Sequence, residues 1–156
     1  NRGEVWYTVS RDGGSSWRDP EPMRYYDGGP ILKNPVCPAP VFRLERGDYV
    51  LLFNNNDGFV YGSTKRWGQL NRRPAFLCRG EFREDAHQPI WWSDPVLFID
   101  NAGKPSRGRL EAAPYVSITE IAGRRVLWYP DRKAFLLGKI LPDSWLDQMK
   151  VPTASD

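Results

Sequence analysis

Short apolar runs bounded by turn residues dominate the hydropathy pattern of this chain. Segments such as 47–53, 95–99 and 123–129 group Val, Leu, Ile and aromatic residues between Gly, Pro, Asn and Asp. Runs of this length and composition are typical of β-strands. Helical periodicity is confined to Asp143–Met149, where the sequence predicts a short helix with Asp143 as N-cap after Pro142. The pattern therefore predicts an all-β protein.

An internal repeat organises these strands. Gly47–Phe53 matches Gly123–Tyr129 position by position in its glycine start and apolar run. Each copy follows another apolar segment, 39–44 in the first case and 116–121 in the second. A glycine turn between two apolar segments predicts a β-hairpin, whose strands we call A and B.

A second match follows each hairpin. Arg73–Leu77 resembles Arg132–Leu136, which predicts an Arg-led strand C in both copies. The first copy has a longer loop around 56–70, and Arg2–Trp6 is a weaker third copy of the Arg-led strand. Pro95–Ile99 predicts a fourth strand, D.

Four antiparallel strands per repeat are the unit of a β-propeller blade, although a β-sandwich with coincidentally similar hairpins is the alternative. The chain would hold roughly two to three blades, whereas propellers close with about four to eight. We therefore expect further propeller upstream, or self-association that covers the open strand edges. The expected units are 1–36 (end of a blade), 37–100 (one blade), 101–142 (part of a further blade) and 143–156 (a tail with a short helix).

Charge and composition argue against nucleic acid as a partner and against a membrane span. The net charge is +3, and basic residues alternate with acids rather than forming the stripe that nucleic-acid binding needs. No apolar run reaches the roughly 18 residues of a membrane span. Cys37 and Cys78 are expected to be free thiols in or near strands, with a disulfide as the alternative. The 14 glycines and 14 prolines are spread along the chain, as expected for many turns.

One motif is more specific than the strands. Residues 10–17 read Ser-Arg-Asp-Gly-Gly-Ser-Ser-Trp, which fits the Asp-box pattern Ser-x-Asp-x-Gly-x-x-Trp at Ser10, Asp12, Gly14 and Trp17. Asp12 is expected to bond backbone amides of its own turn, and Trp17 to pack the hairpin against the blade. The motif resembles the repeats of sialidases and related bacterial propellers, in which it is a structural hairpin. The segment 125–133 is also similar to bacterial sialidase-like proteins.

This resemblance implies a sector of a six-bladed sialidase-like propeller and a carbohydrate or glycoconjugate as partner. A secreted or periplasmic location is favoured, although the sequence does not fix the compartment. No cofactor is implied. One histidine and two separated cysteines also make a Cys/His metal site unexpected.

The predicted strand order places the candidate functional residues at one of two opposite edges of each repeat. In an antiparallel repeat, the start of A, the end of B and the start of C share one edge, and the C–D hairpins share the other. The first edge would carry Tyr115, the Asn54–Gly58 loop, Asp131, Arg2, Arg73 and Arg132. Guanidinium groups bind carboxylates bidentately, and an acidic neighbour can activate a phenol as nucleophile. This edge therefore suits an anionic sugar.

The resemblance assigns roles to some of these residues. Sialidases use three arginines on the substrate carboxylate, a Tyr/Glu nucleophilic pair and an Asp acid/base. Tyr115 would be the nucleophile, with Glu111 as its partner and Asp131 as a further catalytic carboxylate. The substrate-binding candidates are Arg72, Arg73, Arg132, Asn55, Asn56 and Asp57.

The preceding blade departs from the sialidase pattern. Pro38 or Ala39 stands where the glutamate partner would begin strand A, and Asn54 or Asn55 where a second arginine would end strand B. Two interpretations remain. One is an exo-acting glycoside hydrolase whose substrate need not be sialic acid. The other is a non-catalytic carbohydrate-binding or scaffolding propeller in which residues such as Trp67 contact the ligand.

Each candidate also has a structural interpretation. Tyr115 can be an aromatic residue at a strand edge, and the repeated arginines can brace the blades by binding loop carbonyls. Asn54–Gly58 is foremost a turn, because Asn and Asp tolerate left-handed backbone. His87, the single histidine, is expected to bond within its loop rather than act as a base.

Overall fold

The computed structural model of the protein describes residues 3–59, 71–100, 115–131 and 135–153. These residues form an all-β structure, as predicted. The strands are β1 (Trp6–Tyr7), β2 (Glu21–Pro22), β3 (Val41–Arg43), β4 (Tyr49–Phe53), β5 (Ala75–Phe82), β6 (Ile90–Trp92), β7 (Val96–Ile99), β8 (Ser117–Ile121), β9 (Arg124–Asp131) and β10 (Phe135–Ile140), and the helix α1 spans Asp143–Leu146.

The strands form three antiparallel sheets. β1 pairs with β2, and β8, β9 and β10 form a second sheet in which β9 is central. The third and largest sheet runs β3–β4–β5, with β6 and β7 lying one after the other along the far side of β5. Within the part of the chain that the structure describes, none of the three sheets closes on itself. The predicted A–B–C–D strand order is therefore confirmed, with β6 and β7 together in position D.

Both predicted A–B hairpins are present. Gly47 has φ 97° in the turn between β3 and β4, where the Leu44 amide donates to the Asp48 carbonyl at 2.8 Å. The turn between β8 and β9 consists of Ala122 and Gly123, with φ of 48° and 74°. Two successive positive φ values match the twist of a tight two-residue hairpin, which explains the repeated glycine.

The largest sheet buries both of its faces. Val50 and Leu52 of β4 pack into one cluster with Leu127 of β9 and Leu146 of α1. The alternate β4 side chains, Leu51 and Phe53, pack into a second cluster with Val5 and Leu32 from the N-terminal segment. Because neighbouring side chains of a strand point to opposite faces, this apolar run is buried on both sides. The sheet thus lies between two others.

Helix α1 differs from the prediction. It ends at Leu146, because Gln148 and Met149 donate to carbonyls three residues back, which tightens the chain into a turn. Pro142 occupies the N-cap position, and Asp143 makes no capping bond. The Asp143 carboxylate accepts from Arg46 at 2.8 Å and from Arg125. The predicted N-cap was wrong because two arginines bind that side chain.

The predicted units contain these elements as follows. β1 and β2 lie within 1–36, β3 to β7 within 37–100, β8 to β10 within 101–142, and α1 begins the segment 143–156. The assignment of these units to propeller blades stays a prediction. Cys78 is a free, buried thiol, so it forms no disulfide with Cys37. Among the described residues, no helix is long and apolar enough to cross a membrane.

Candidate functional site

The Asp-box turn is held by its own side chains. The Asp12 carboxylate accepts from the Ser10 hydroxyl at 2.9 Å, from the Ser16 amide at 2.9 Å and from the Ser16 hydroxyl at 2.6 Å. The Gly14 amide donates to the Ser10 hydroxyl at 2.7 Å, and Gly13 and Gly14 have positive φ. The predicted role of Asp12 is confirmed, because its carboxylate replaces backbone partners across the turn.

Trp17 behaves differently from the prediction. Its side chain is 62% exposed, and its indole N–H donates to the Gly14 carbonyl at 3.2 Å. A Cβ at Gly14 would lie 3.8 Å from the indole, so the ring covers the bare glycine backbone. The expectation that Trp17 packs against the sheet was wrong, because its ring folds back over its own turn.

The hairpins of successive units meet at one end of the molecule. Arg11 of the Asp box donates to the Ala86 carbonyl in the loop between β5 and β6, at 3.3 Å. The two A–B turns are joined at the same end of the sheets, where the Glu45 amide donates to Glu120 at 2.8 Å. We call this the Asp-box edge, comprising residues 10–18, 44–48, 83–88 and 120–124.

The opposite ends of the strands form what we call the Tyr115 edge, comprising residues 3, 34, 54–58, 71–74, 115 and 131. Asn54 follows β4, and its backbone N–H donates to the side-chain oxygen of Asn34 at 2.9 Å. Gly3 lies so close to the Asp57 backbone that a Cβ there would approach the Asp57 carbonyl to 2.7 Å. For the described residues, this arrangement agrees with the predicted sorting of strand ends onto two edges, while Arg2 and Arg132 lie outside the described residues.

The asparagines of the Tyr115 edge are largely engaged with the backbone. Asn54 is buried and donates to the Pro74 carbonyl at 3.0 Å, while Asn56 donates to the Asn54 and Arg73 carbonyls at 3.0 and 3.2 Å. The Asn56 oxygen accepts from the Gly58 amide at 2.7 Å. Asn54 and Asn56 therefore fasten the loop after β4 to the start of β5.

Asn55 and Asp57 do not fasten the loop to β5 as Asn54 and Asn56 do. Asn55 is exposed with φ 49°, and its side-chain oxygen accepts from the Tyr25 hydroxyl at 3.3 Å. Asp57 is half-buried and accepts from the Phe59 amide at 3.1 Å. A carboxylate that accepts one amide retains further acceptor positions. Both residues can thus contact a ligand at this edge.

Arg73 is already paired with a carboxylate. Its Nη2 lies 3.1 Å from Asp100 Oδ1, at the end of β7, and both side chains are partly buried. Arg72 is half-buried beside it in the segment leading into β5. The structure thus places both predicted arginines at the Tyr115 edge, where Arg73 binds a carboxylate rather than the loop carbonyls considered above.

Tyr115 and Asp131 lie at the corresponding end of the β8–β10 sheet. Ser117 faces Trp128 in the register of β8 and β9, so Tyr115 comes level with the last residues of β9. Tyr115 is 63% exposed and has φ 61°, an unusual backbone conformation for an aromatic residue. Glu111 and Arg132, the other predicted site residues of this unit, lie outside the described residues, as does Trp67.

Sequence reasoning missed a polar cluster at the opposite edge. The Tyr7 hydroxyl donates to Glu21 at 2.8 Å, and His87 Nε2 lies 2.8 Å from the same carboxylate oxygen. Arg18 reaches His87 Nδ1 at 3.2 Å, and the His87 amide donates to Asp27 at 2.8 Å. Tyr7, Glu21, Asp27 and His87 line a cleft of about 250 Å³. The expectation that His87 bonds only within its loop was wrong, since its ring joins two hairpins.

The electrostatics of this cluster follow from those bonds. The hydrogen bond from His87, and then that from Tyr7, lower the pKa of Glu21. Burial, and then the bond to Glu21, raise the pKa of Tyr7 far above that of a free phenol. A phenol held protonated in this way acts as a donor. The cluster therefore joins the hairpins rather than presenting a phenolate.

The comparisons add no family assignment: matching the chain against protein-family models, curated proteins and solved structures gave no hit. Within the described ranges, no group of three or more His, Cys, Asp or Glu side chains is arranged to hold a metal ion.

Proposed function

We propose that the chain is a sector of an Asp-box, sialidase-like β-propeller that acts as an exo-glycoside hydrolase on a sugar that need not be sialic acid. The observation that carries this proposal is the double burial of the β3–β7 sheet between two neighbouring sheets. In a two-layer sandwich each sheet buries one face, whereas an inner propeller blade buries both.

The alignment of the edges supports the same proposal. Hairpins of successive units meet at the Asp-box edge, through Arg11 with Ala86 and Glu45 with Glu120. Repeated units stacked with like edges together are what a propeller requires. The Asp-box turn then forms the C–D hairpin of the first unit, between β1 and β2.

The Tyr115 edge is the proposed catalytic edge. Tyr115 is exposed and would attack the anomeric carbon of a sugar as the bond to the aglycone breaks, while Glu111 would accept the phenol proton. The leaving aglycone oxygen would take its proton from an acid/base aspartate, which the sialidase resemblance places in an earlier blade, and water would then release the sugar from Tyr115. Asp131 would serve as a further carboxylate. Arg72, Arg73 and Arg132 are the proposed substrate-binding cations, and Asn55 with Asp57 would bind hydroxyl groups. In this scheme Asn54 and Asn56 hold the loop that presents them.

The test is hydrolysis of a panel of aryl glycosides, sialosides included, by the full-length protein and its Tyr115→Phe variant. We expect turnover of one sugar, and a loss of at least about 100-fold in kcat when the phenol is removed. Tyr7→Phe is the matched control, because it removes a carboxylate-bound phenol at the opposite edge. Wild-type turnover in Tyr115→Phe would overturn the assignment of the nucleophile.

A second candidate function is a non-catalytic carbohydrate-binding or scaffolding propeller. The pairing of Arg73 with Asp100, and the backbone bonds of Asn54 and Asn56, favour it, because these side chains already have structural partners. Absence of turnover on every substrate, with glycan binding retained in wild type and Tyr115→Phe, would establish this candidate over the hydrolase.

A further inference from the structure

A second cleft lies near the Asp-box edge, beside the C-terminal tail. It has a volume of about 400 Å³ and is lined by Tyr26, Asp27, Trp91 and the tail residues 150–153. Small-molecule sites usually measure about 300–1,000 Å³ and combine apolar walls with a few polar groups. The dimensions and lining of this cleft match that description.

Two aromatic rings form the walls of the cleft. The ring centroids of Tyr26 and Trp91 are 6.0 Å apart and the planes are tilted by 53°, so the rings form an open angle. Tyr26 rests on Gly29, where a Cβ would approach the phenol ring to 2.9 Å. The absence of a side chain at Gly29 therefore lets the Tyr26 ring lie against the backbone beside the cleft.

The polar groups of the cleft are also fixed in place. The Asp27 carboxylate accepts from the His87 and Gln88 amides at 2.8 and 2.9 Å, one on each oxygen. Each carboxylate oxygen has a second acceptor position, which remains for a ligand hydroxyl. The indole N–H of Trp91 is buried and has no hydrogen-bond partner among the described residues. Because that N–H is buried, Trp91 offers the cleft its aromatic ring and not a hydrogen-bond donor.

The tail that closes the cleft is anchored. Arg83 donates to the Pro152 carbonyl at 3.2 Å, and Arg79 to the Met149 carbonyl at 3.1 Å. Lys150 is exposed, and its ammonium donates to the Asp147 carbonyl at 2.9 Å, which leaves it further donors. The cleft thus offers one cation and one anion, so its charge favours neither an acidic nor a basic ligand.

We infer that this cleft is a binding site for a neutral sugar unit of a glycan. The C–H face of a sugar ring is apolar and suits the aromatic walls, while its hydroxyl groups match an acceptor at Asp27 and a donor at Lys150. A phosphate or nucleotide would meet the Asp27 carboxylate, and an alkyl chain would leave these polar groups unpaired.

This site is separate from the proposed catalytic edge. Trp91 pairs with Glu81 near the end of β5, whereas Arg73 precedes its start. At about 3.3 Å per residue, the chain from Arg73 to Glu81 spans roughly 26 Å. The inference therefore does not depend on hydrolysis, and Tyr115→Phe should leave binding in this cleft unchanged.

The test is calorimetric titration of the full-length protein with neutral cello-, xylo-, manno- and galacto-oligosaccharides, and with sialyllactose as an anionic comparison. We expect one neutral series to bind, with Kd weakened about tenfold or more in Trp91→Ala and severalfold in Lys150→Ala. Trp17→Ala is the matched tryptophan control, because that indole is exposed outside the cleft. Its affinity should equal that of the wild type.

Lys150→Ala is included because loss of binding in Trp91→Ala alone could also arise from misfolding. Lys150 is exposed, so its removal leaves the core intact. Neutral-sugar binding that is weakened in Trp91→Ala and Lys150→Ala but kept in Tyr115→Phe would support the inference. The inference would be overturned by equal affinity in wild type, Trp91→Ala and Lys150→Ala, by binding of sialyllactose alone, or by binding of none of these sugars.

Discussion

At the scale of single residues, the side-chain bonds of Asp12 stay within its own turn, whereas those of His87 join distant parts of the chain. Asp12 could be assigned from the motif because all its partners lie within four residues. Glu21 and His87 are 66 positions apart, and no spacing rule joins them. Trp17 was misplaced because the motif fixes its position in the turn but not the side on which its ring lies.

Asp12 leads to a prediction about pH. Its bonds with Ser16, then Ser10, lower its pKa from 3.8 to about 2. The stabilisation of the turn is therefore complete above pH 3.8 and is lost as the pH falls through about 2. A carboxyl-detected NMR titration measures this pKa directly.

Serine substitutions test which hydrogen bonds lower the pKa of Asp12. Ser16→Ala should raise the Asp12 pKa, because the Ser16 hydroxyl bond is the largest cause of the shift. Ser15→Ala, which changes an exposed neighbour, should leave it at about 2. A wild-type Asp12 pKa of 3.8 would show that the turn is not held as described.

At the scale of elements, the repeated glycine turns predicted both hairpins, and the A–B–C–D order followed from the repeat. The N-cap of α1 was mispredicted because the Asp143 side chain binds Arg46 and Arg125 instead of the backbone of its own helix. Gly80, inside β5, also has a role that the strand pattern does not reveal.

Gly80 leads to a prediction about stability. A Cβ at this position would lie 2.5 Å from the ring of Trp92, which is fully buried. Gly80→Ala should therefore lower the free energy of unfolding by about 1–3 kcal/mol, as measured by urea denaturation.

A double substitution tests the cause of this loss. Trp92→Leu makes a cavity by itself, but it removes the ring atoms that the new methyl group would meet. In the double variant Gly80→Ala/Trp92→Leu, the loss of unfolding free energy should be smaller than the sum of the losses in the two single variants. Strict additivity would mean that the alanine acts elsewhere.

At the scale of the whole molecule, the sequence indicates repeated antiparallel units but not how they stack. The apolar run of β4 is compatible with several kinds of buried sheet, and only the contacts of Leu51 and Leu52 with different clusters show that both faces are covered. The cleft beside Trp91 was likewise beyond prediction, because it joins residues 26–27, 91 and 150–153.

The central claim is that these sheets are successive blades of a propeller. The crystal structure of the full-length protein tests it most directly. We expect the β3–β7 and β8–β10 sheets to be arranged radially around a common channel, with Tyr115 and Arg73 opening onto the same end of it. Two sheets packed face to face in a closed sandwich, without a central channel, would contradict the account.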